Sequence, residues 1–161
     1  MRLVDLEEEA RNGPLHFVVA LDRCHVRIYL RQRRPETRAP RLLLADAVDL
    51  PEGRFHRFAD RVGDEAGRFP RAPGIGGGID ERLPSQREEE RRNLEELAQC
   101  LESFFRCRAP GATWDLAAPQ DILASLAEHL GPEARSGLQH QLGKDLVKEP
   151  AEALLAHFGR P

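Results

Sequence analysis

The feature that most constrains the fold is an apolar stripe between residues 94 and 105. Its members recur at helical spacing, and they are Leu94, Leu97, Ala98, Leu101, Phe104 and Phe105. This spacing places them on one face of an α-helix, which must be buried against another element. Ser85 and Glu88 form a capping-box pattern that predicts the start of the helix, and Pro110 with Gly111 predicts its end. The rest of the chain must therefore supply an apolar surface that covers this face.

Strand patterns on both sides of the helix predict that surface. Residues 15–31 predict a β-hairpin, because an apolar run is followed by period-two alternation, with Asp22-Arg23 at the turn. Residues 42–48 predict a third strand. Residues 113–118 predict a short buried strand directly after the long helix. The two groups of strands indicate one sheet with the helix on its face.

Prolines and glycines divide the C-terminal part. Pro119 is placed at the first position of a helix that stops at Gly131, and Pro132 opens another helical turn. Residues 138–142 fit either a strand or a continued helix, and the pattern does not decide. Pro150 starts a final helix that Gly159 closes. The whole order predicts an α/β fold with a mixed sheet flanked by helices, and the length of 161 residues predicts a single domain over 1–161.

The segment at about 51–84 is predicted to be a flexible loop rich in glycine and arginine, because it has few aliphatic residues. Its Gly74–Gly78 run fits neither the P-loop nor the Rossmann spacing. It precedes a helix N-terminus, where backbone N–H groups favour anions, so the loop is either a mobile linker or a contact for an anion or an RNA backbone. The candidate binding residues are Arg68, Arg71, Gly76, Gly77, Gly78, Arg82 and Arg87.

The histidines, two aspartates near strand ends and two of the cysteines indicate no defined reaction. His16 and His25 are expected to be cross-strand neighbours at most, and the C-terminal histidines have no acidic partner at a telling spacing. These are His129, His140 and His157. Asp22 and Asp46 lie near strand ends, as the metal-binding carboxylates of a nuclease would, but a turn role for Asp22 is favoured. Cys100 and Cys107 are expected to pack at the margin of the core. We predict no catalytic residue, metal site or cofactor, and the sequence does not decide whether the chain is an enzyme.

Composition limits the classes of partner. The net charge of −3 provides no general electrostatic attraction to nucleic acid. Nearly all the positive charge is arginine, which either favours bidentate contacts with phosphates and carboxylates or reflects a high-GC genome. No apolar run is long enough to span a membrane, and the N-terminus lacks the pattern of a signal peptide. Three cysteines without a close pair indicate a reducing compartment, so a cytoplasmic location is expected.

The most specific pattern lies in the C-terminal third. It combines Leu116-Ala117-Ala118-Pro119, a leucine-bearing helix that ends in Leu130-Gly131-Pro132, and the block Lys144–Pro150. Over about residues 113–158 this string resembles the bacterial host-attachment protein family. The members of that family are similar to the middle domain of archaeo-eukaryotic peptide release factors. The resemblance implies a mixed sheet with a ribonuclease H-like order of elements.

The resemblance also implies a role for the glycine loop. In release factors a Gly-Gly-Gln loop ahead of a long helix positions the hydrolysis of peptidyl-tRNA, and its counterpart here is Gly76-Gly77-Gly78. Glycine at the third place argues against that reaction, and Ala127 stands where the family often has an arginine. The leading hypothesis is a non-catalytic factor that contacts the ribosome or RNA. The alternatives are a protein needed for host attachment that acts through protein partners, and a metal-dependent nuclease-like enzyme.

Overall fold

The computed structural model describes residues 4–50 and 84–158. The strands are β1 (His16–Leu21), β2 (His25–Arg33), β3 (Pro40–Asp49), β4 (Thr113–Ala117) and β5 (Leu138–Leu142). The helices are α1 (Leu6–Arg11), α2 (Pro84–Cys107), α3 (Gln120–His129), α4 (Pro132–Gly137) and α5 (Ala151–Phe158). The predicted mixed α/β class is confirmed.

The five strands form one open sheet in the order β3-β2-β1-β4-β5. β2 pairs antiparallel with both β1 and β3, whereas β4 pairs parallel with both β1 and β5. The predicted hairpin is β1–β2, and its turn is held by Asp22, whose Oδ1 accepts hydrogen bonds from the backbone N–H groups of Cys24 and His25 at 2.8 and 2.7 Å. This is the turn role expected of Asp22. The most apolar strand, β1, therefore lies at the centre of the sheet.

Alternation along β1 sends side chains to two separate cores. Phe17, Val19 and Leu21 belong to the larger core, which the predicted stripe of α2 covers together with α3. Val18 and Ala20 belong to a smaller core, which Leu154 of α5 covers on the opposite face. Because both faces of the sheet are covered at β1, the sequence of this strand is a continuous apolar run.

Aromatic rings join α2 to the sheet. The ring of Phe17 meets those of Phe104 and Phe105 edge-on, with centroids 5.3 and 5.8 Å apart. Phe105 stacks on Trp114 of β4 at 4.9 Å, and the buried indole N–H of Trp114 donates to the carbonyl of Ala134 at 2.7 Å. Such aromatic pairs contribute about 0.5–1.5 kcal/mol each beyond the area that they bury. They fix the position of α2 over the junction of β1 and β4.

Several element boundaries differ from the sequence predictions. α2 begins at Pro84, so Ser85 lies within the helix, and the carboxylate of Glu88 contacts Arg91 and Arg92. The predicted capping box is therefore wrong. Pro119 is the N-cap of α3, one position before the first helical residue.

Two elements were undecided or missed by the sequence patterns. Residues 138–142 form a strand, and the short α1 was not predicted, although Asp5 caps it by accepting from the N–H groups of Glu7 and Glu8. The predicted closure of α5 at Gly159 and the loop predicted at 51–84, except for its last residue, lie outside the described residues.

Candidate functional site

The structure describes one of the candidate binding residues predicted in and beside the glycine loop. Arg87 is exposed in the first turns of α2. The other candidates, Arg68, Arg71, Gly76, Gly77, Gly78 and Arg82, lie outside the described residues. The contact that the sequence predicts for this loop stays a prediction.

The charges that follow Arg87 on α2 interact with one another. Arg91 Nη2 lies 2.5 Å from Glu88 Oε1, Arg92 Nε lies 3.1 Å from the same oxygen, and Arg91 also pairs with Glu95. The hydrogen bond from Arg91 lowers the pKa of Glu88 more than its slight desolvation raises it, and Arg92 lowers it further. This surface therefore carries alternating charges that are mutually compensated.

The two carboxylates considered for a nuclease have structural partners. Besides the hairpin turn, Asp22 accepts a hydrogen bond from Nδ1 of its neighbour His25 at 3.0 Å. Asp46 accepts from Arg108 at 3.2 Å, which connects β3 to the residue directly after α2. Over residues 4–50 and 84–158, no group of three or more histidine, cysteine or acidic side chains is arranged to hold a metal ion.

The cysteines occupy three different environments. Cys24 is buried, Cys100 is partly buried and Cys107 is exposed, and no disulfide joins any of the three. Burial, and then the charge of Asp46, raises the pKa of the Cys100 thiol. The expected packing at the core margin holds for Cys100, whereas Cys107 is too exposed for it.

A polar cluster that the sequence patterns did not indicate lies on the α5 face of the sheet. Nε2 of His16 donates to Oδ2 of Asp115 at 3.0 Å, and Nδ1 of His140 donates to Oδ1 of the same carboxylate at 2.9 Å. Nδ1 of His16 also lies 2.7 Å from Oγ1 of Thr113. The three charged or titratable groups belong to the neighbouring strands β1, β4 and β5. His140 therefore has an acidic partner in the folded chain, although none stands at a telling spacing in the sequence.

Strand alternation explains why these side chains meet. Ala117 of β4 packs in the smaller core, so Asp115, two residues earlier, points to the same face. Parallel pairing sets Asp115 opposite His140, and His16 opposite Thr113. Because His16 is 99 residues and His140 is 25 residues from Asp115 in the chain, no local pattern could show this cluster.

Asp115 is the buried centre of the cluster, with a side chain that is 6% exposed. Burial raises the pKa of its carboxyl, but the hydrogen bonds and charges of His16 and His140 outweigh burial, so its pKa is lowered. The carboxylate is therefore ionised at neutral pH and fixes the orientation of both imidazoles. His16 has partners on both ring nitrogens, whereas His140 is 74% exposed and its Nε2 has no hydrogen-bond partner within the described residues.

The cluster lines an open groove of about 840 Å³ between the sheet and the C-terminal end of α5. Nη1 of Arg31 donates to the backbone carbonyl of Phe158 at 3.1 Å and so connects β2 to α5 on one wall. The basic residues on its walls are His16, Arg31, Arg33, His140 and His157. Asp115 is the one acidic residue among the described residues that line it. The groove is thus a basic surface on an acidic chain.

The chain matches, over residues 17–158, the model of a family described as "Protein required for attachment to host cells". No curated protein matches it. Among the helices that the structure describes, none has the length and apolarity needed to cross a bilayer. The match spans most of the chain and confirms the resemblance that residues 113–158 carry, so this chain belongs to the family of proteins required for attachment to host cells.

Proposed function

We propose that this chain is a non-catalytic protein with the release-factor middle-domain arrangement, and that it associates with the ribosome or RNA in translation or stress response. The observation that carries the proposal is the sheet order β3-β2-β1-β4-β5, in which β2 alone runs against the other strands. The release-factor resemblance implies a ribonuclease H-like order of elements, and this sheet order supports that part of the proposal. The long helix α2 follows the segment after β3, as the helix behind the release-factor loop does.

The glycine loop supplies the proposed contact. Gly76-Gly77-Gly78 comes shortly before Pro84, where α2 begins. The third glycine lacks the side chain that positions hydrolysis in a Gly-Gly-Gln loop, so we assign the segment a docking role. Its arginines are suited to phosphate groups because guanidinium presents several donors in a planar fork. The contact set that we propose is Arg68, Arg71, Arg82 and Arg87.

Co-sedimentation with ribosomes tests this function. The full chain is expected to pellet with ribosomes at roughly 50 mM salt and to be released as salt approaches roughly 200 mM, because phosphate contacts release counterions. Replacement of the four arginines Arg68, Arg71, Arg82 and Arg87 by glutamine is expected to abolish pelleting. Failure of the wild-type chain to pellet at low salt would refute the proposal.

A matched control removes the same charge elsewhere. Arg11, Arg34, Arg106 and Lys148 are exposed and lie outside the proposed contact set. Their joint replacement by glutamine is expected to leave pelleting unchanged. Equal loss in both variants would mean that net charge, and not the loop, determines association.

The family match favours a second candidate role, in attachment to host cells. We propose a cytoplasmic location, because three cysteines without a close pair in the sequence are typical of a reducing compartment, so an effect on attachment would be indirect. Deletion of the gene is expected to reduce attachment, and the wild-type gene to restore it. If the four-arginine variant restores attachment fully, the attachment role is independent of the loop. The nuclease-like alternative has less support, because Asp22 and Asp46 already have structural partners.

A further inference from the structure

We infer that the groove around His140 binds a nucleotide unit of single-stranded RNA, with Arg33 and His140 on its phosphate. The inference rests on the proposed function for the choice of RNA as the nucleotide source. It concerns a surface on the α5 face of the sheet and not the loop that precedes α2.

The charge of the groove favours an anion. Arg31 and Arg33 carry permanent positive charge, and His16, His140 and His157 add further basic groups. The negative charge of Asp115 is buried and is already shared between two imidazoles. An entering phosphate would therefore meet the cations before it meets a carboxylate, although the chain as a whole has a net charge of −3.

The orientation and exposure of the His140 imidazole allow it to contact a ligand in the groove. Asp115 holds Nδ1 of His140, so Nε2 points away from the carboxylate on an imidazole that is 74% exposed. A carboxylate behind a histidine fixes the orientation of the ring. His16 cannot serve in the same way, because both of its ring nitrogens are engaged. When an imidazole is protonated both of its ring nitrogens donate, so protonated His140 offers an oriented donor at the surface of the groove.

The walls of the groove also suit a base and a sugar. Phe158, Pro40 and Pro14 provide apolar surface, and the amide side chains of Gln32, Gln139 and Gln141 provide polar groups. Bases of single-stranded nucleic acid stack on aromatic and apolar side chains without a strict sequence requirement. A volume of about 840 Å³ exceeds what an inorganic ion needs. The combination of cations, amides and one aromatic ring favours a nucleotide over phosphate alone.

Fluorescence anisotropy with a labelled single-stranded oligouridylate tests the inference on the full chain. The wild-type chain is expected to bind it at low salt, and Arg33→Gln and His140→Gln are each expected to weaken binding roughly tenfold. Loss of one phosphate contact should also reduce the slope of log affinity against log salt by about 0.7 in the Arg33→Gln variant. Circular dichroism melts would show that each variant keeps its fold.

Matched controls separate the groove from general charge. Arg34 is adjacent to Arg33 and exposed but does not line the groove, and His129 lies at the end of α3, also away from it. Arg34→Gln and His129→Gln should bind as the wild type does. No binding by the wild type, or equal losses in the groove variants and these controls, would overturn the inference.

Two further arms identify the source of the nucleotide. The oligomer is expected to bind at least roughly tenfold more tightly than uridine monophosphate, because it adds neighbouring phosphates. Equal affinity for the two would contradict RNA as the ligand. Oligomer binding at the groove together with no pelleting on ribosomes would refute ribosome association alone, whereas pelleting without oligomer binding would refute the inference alone.

Discussion

At the scale of the residue, Asp115 connects three strands. Its two oxygens accept from histidines on the strands to either side, and its side chain is almost wholly buried. The fold needs both hydrogen bonds to this carboxylate, because burying a charge without hydrogen bonds has a high free-energy cost. The groove and the local stability of the sheet therefore depend on the same carboxylate.

Replacement of Asp115 by asparagine is expected to lower the free energy of unfolding at pH 7 by about 1–3 kcal/mol, because two charge-assisted hydrogen bonds are weakened. Since the folded pKa of Asp115 lies below its ordinary value of 3.8, its contribution is present above that value and is lost as the pH falls through the folded pKa. Urea unfolding from pH 7 downward should show the difference between wild type and variant narrowing below about pH 4.

Asp145→Asn is the matched control for this change, since Asp145 is exposed. It should cost little at any pH. A difference between wild type and Asp115→Asn that is as large at the lowest pH as at pH 7 would contradict the role of the ionised carboxylate.

Gly137, at the end of α4, is a glycine required by close packing. A Cβ there would overlap the backbone carbonyl oxygen of Ala112 and approach Cδ1 of Trp114 to 3.2 Å. Neither neighbour can rotate away, so Gly137→Ala is expected to destabilise the fold by about 1–3 kcal/mol in thermal or urea unfolding. Gly143→Ala meets only the end of the Gln120 side chain, which can turn aside, and should be close to neutral. A neutral Gly137→Ala variant would show that β4 and α4 can separate without cost.

At the scale of the element, α4 depends on α2 for its N-terminal cap. Oε1 and Oε2 of Glu102, on α2, accept from the N–H groups of Glu133 and Ala134 at 3.2 and 2.9 Å. A Cβ at Gly131, the N-cap residue, would lie 2.5 Å from Oε2 of Glu102, so glycine leaves room for the carboxylate. An isolated helix of six residues is unstable in water, so α4 depends on this contact with α2.

Glu102→Ala is expected to cost about 0.5–2 kcal/mol of unfolding free energy, the usual range for loss of a helix cap. Hydrogen exchange should show the amides of Glu133 and Ala134 losing protection first. Glu128→Ala, an exposed acid on α3, serves as the control and should leave their exchange unchanged. Unchanged protection in Glu102→Ala would contradict the capping role.

Periodic elements could be predicted, and weakly patterned ones could not. The stripe of α2 repeats at helical spacing over more than three turns, so the burial of Leu97, Leu101 and Phe105 follows from the sequence. The middle of β5, Gln139-His140-Gln141, is polar. These residues form a strand because β5 pairs with β4, and no local sequence pattern predicts that pairing. The capping box predicted for α2 is wrong because Ser85 lies within the helix and Glu88 pairs with Arg91 and Arg92.

At the scale of the whole molecule, the sequence predicts which segments form strands but not which strands pair with one another. The sequence indicated strands before and after α2, yet the pairing of β1 with β4 joins residues that are 97 apart, such as His16 and Thr113. The groove depends on this pairing, because it brings His16 beside Asp115. The candidate site is therefore a property of the topology, and only its residue types are visible in the sequence.

The central position of β1 has a consequence for synthesis on the ribosome. β2 can cover one edge of β1 as soon as residue 33 has emerged, but the other edge stays open until residue 117 has followed. During that interval the apolar strand Phe17–Leu21 presents unpaired backbone, a condition that favours wrong pairing with other chains. Nascent chains stalled before Thr113 are therefore expected to recruit chaperones, and those stalled well beyond β4 are expected to lose them. Because of this strand order, wrong pairing of β1 with other chains is most favoured in the middle of translation.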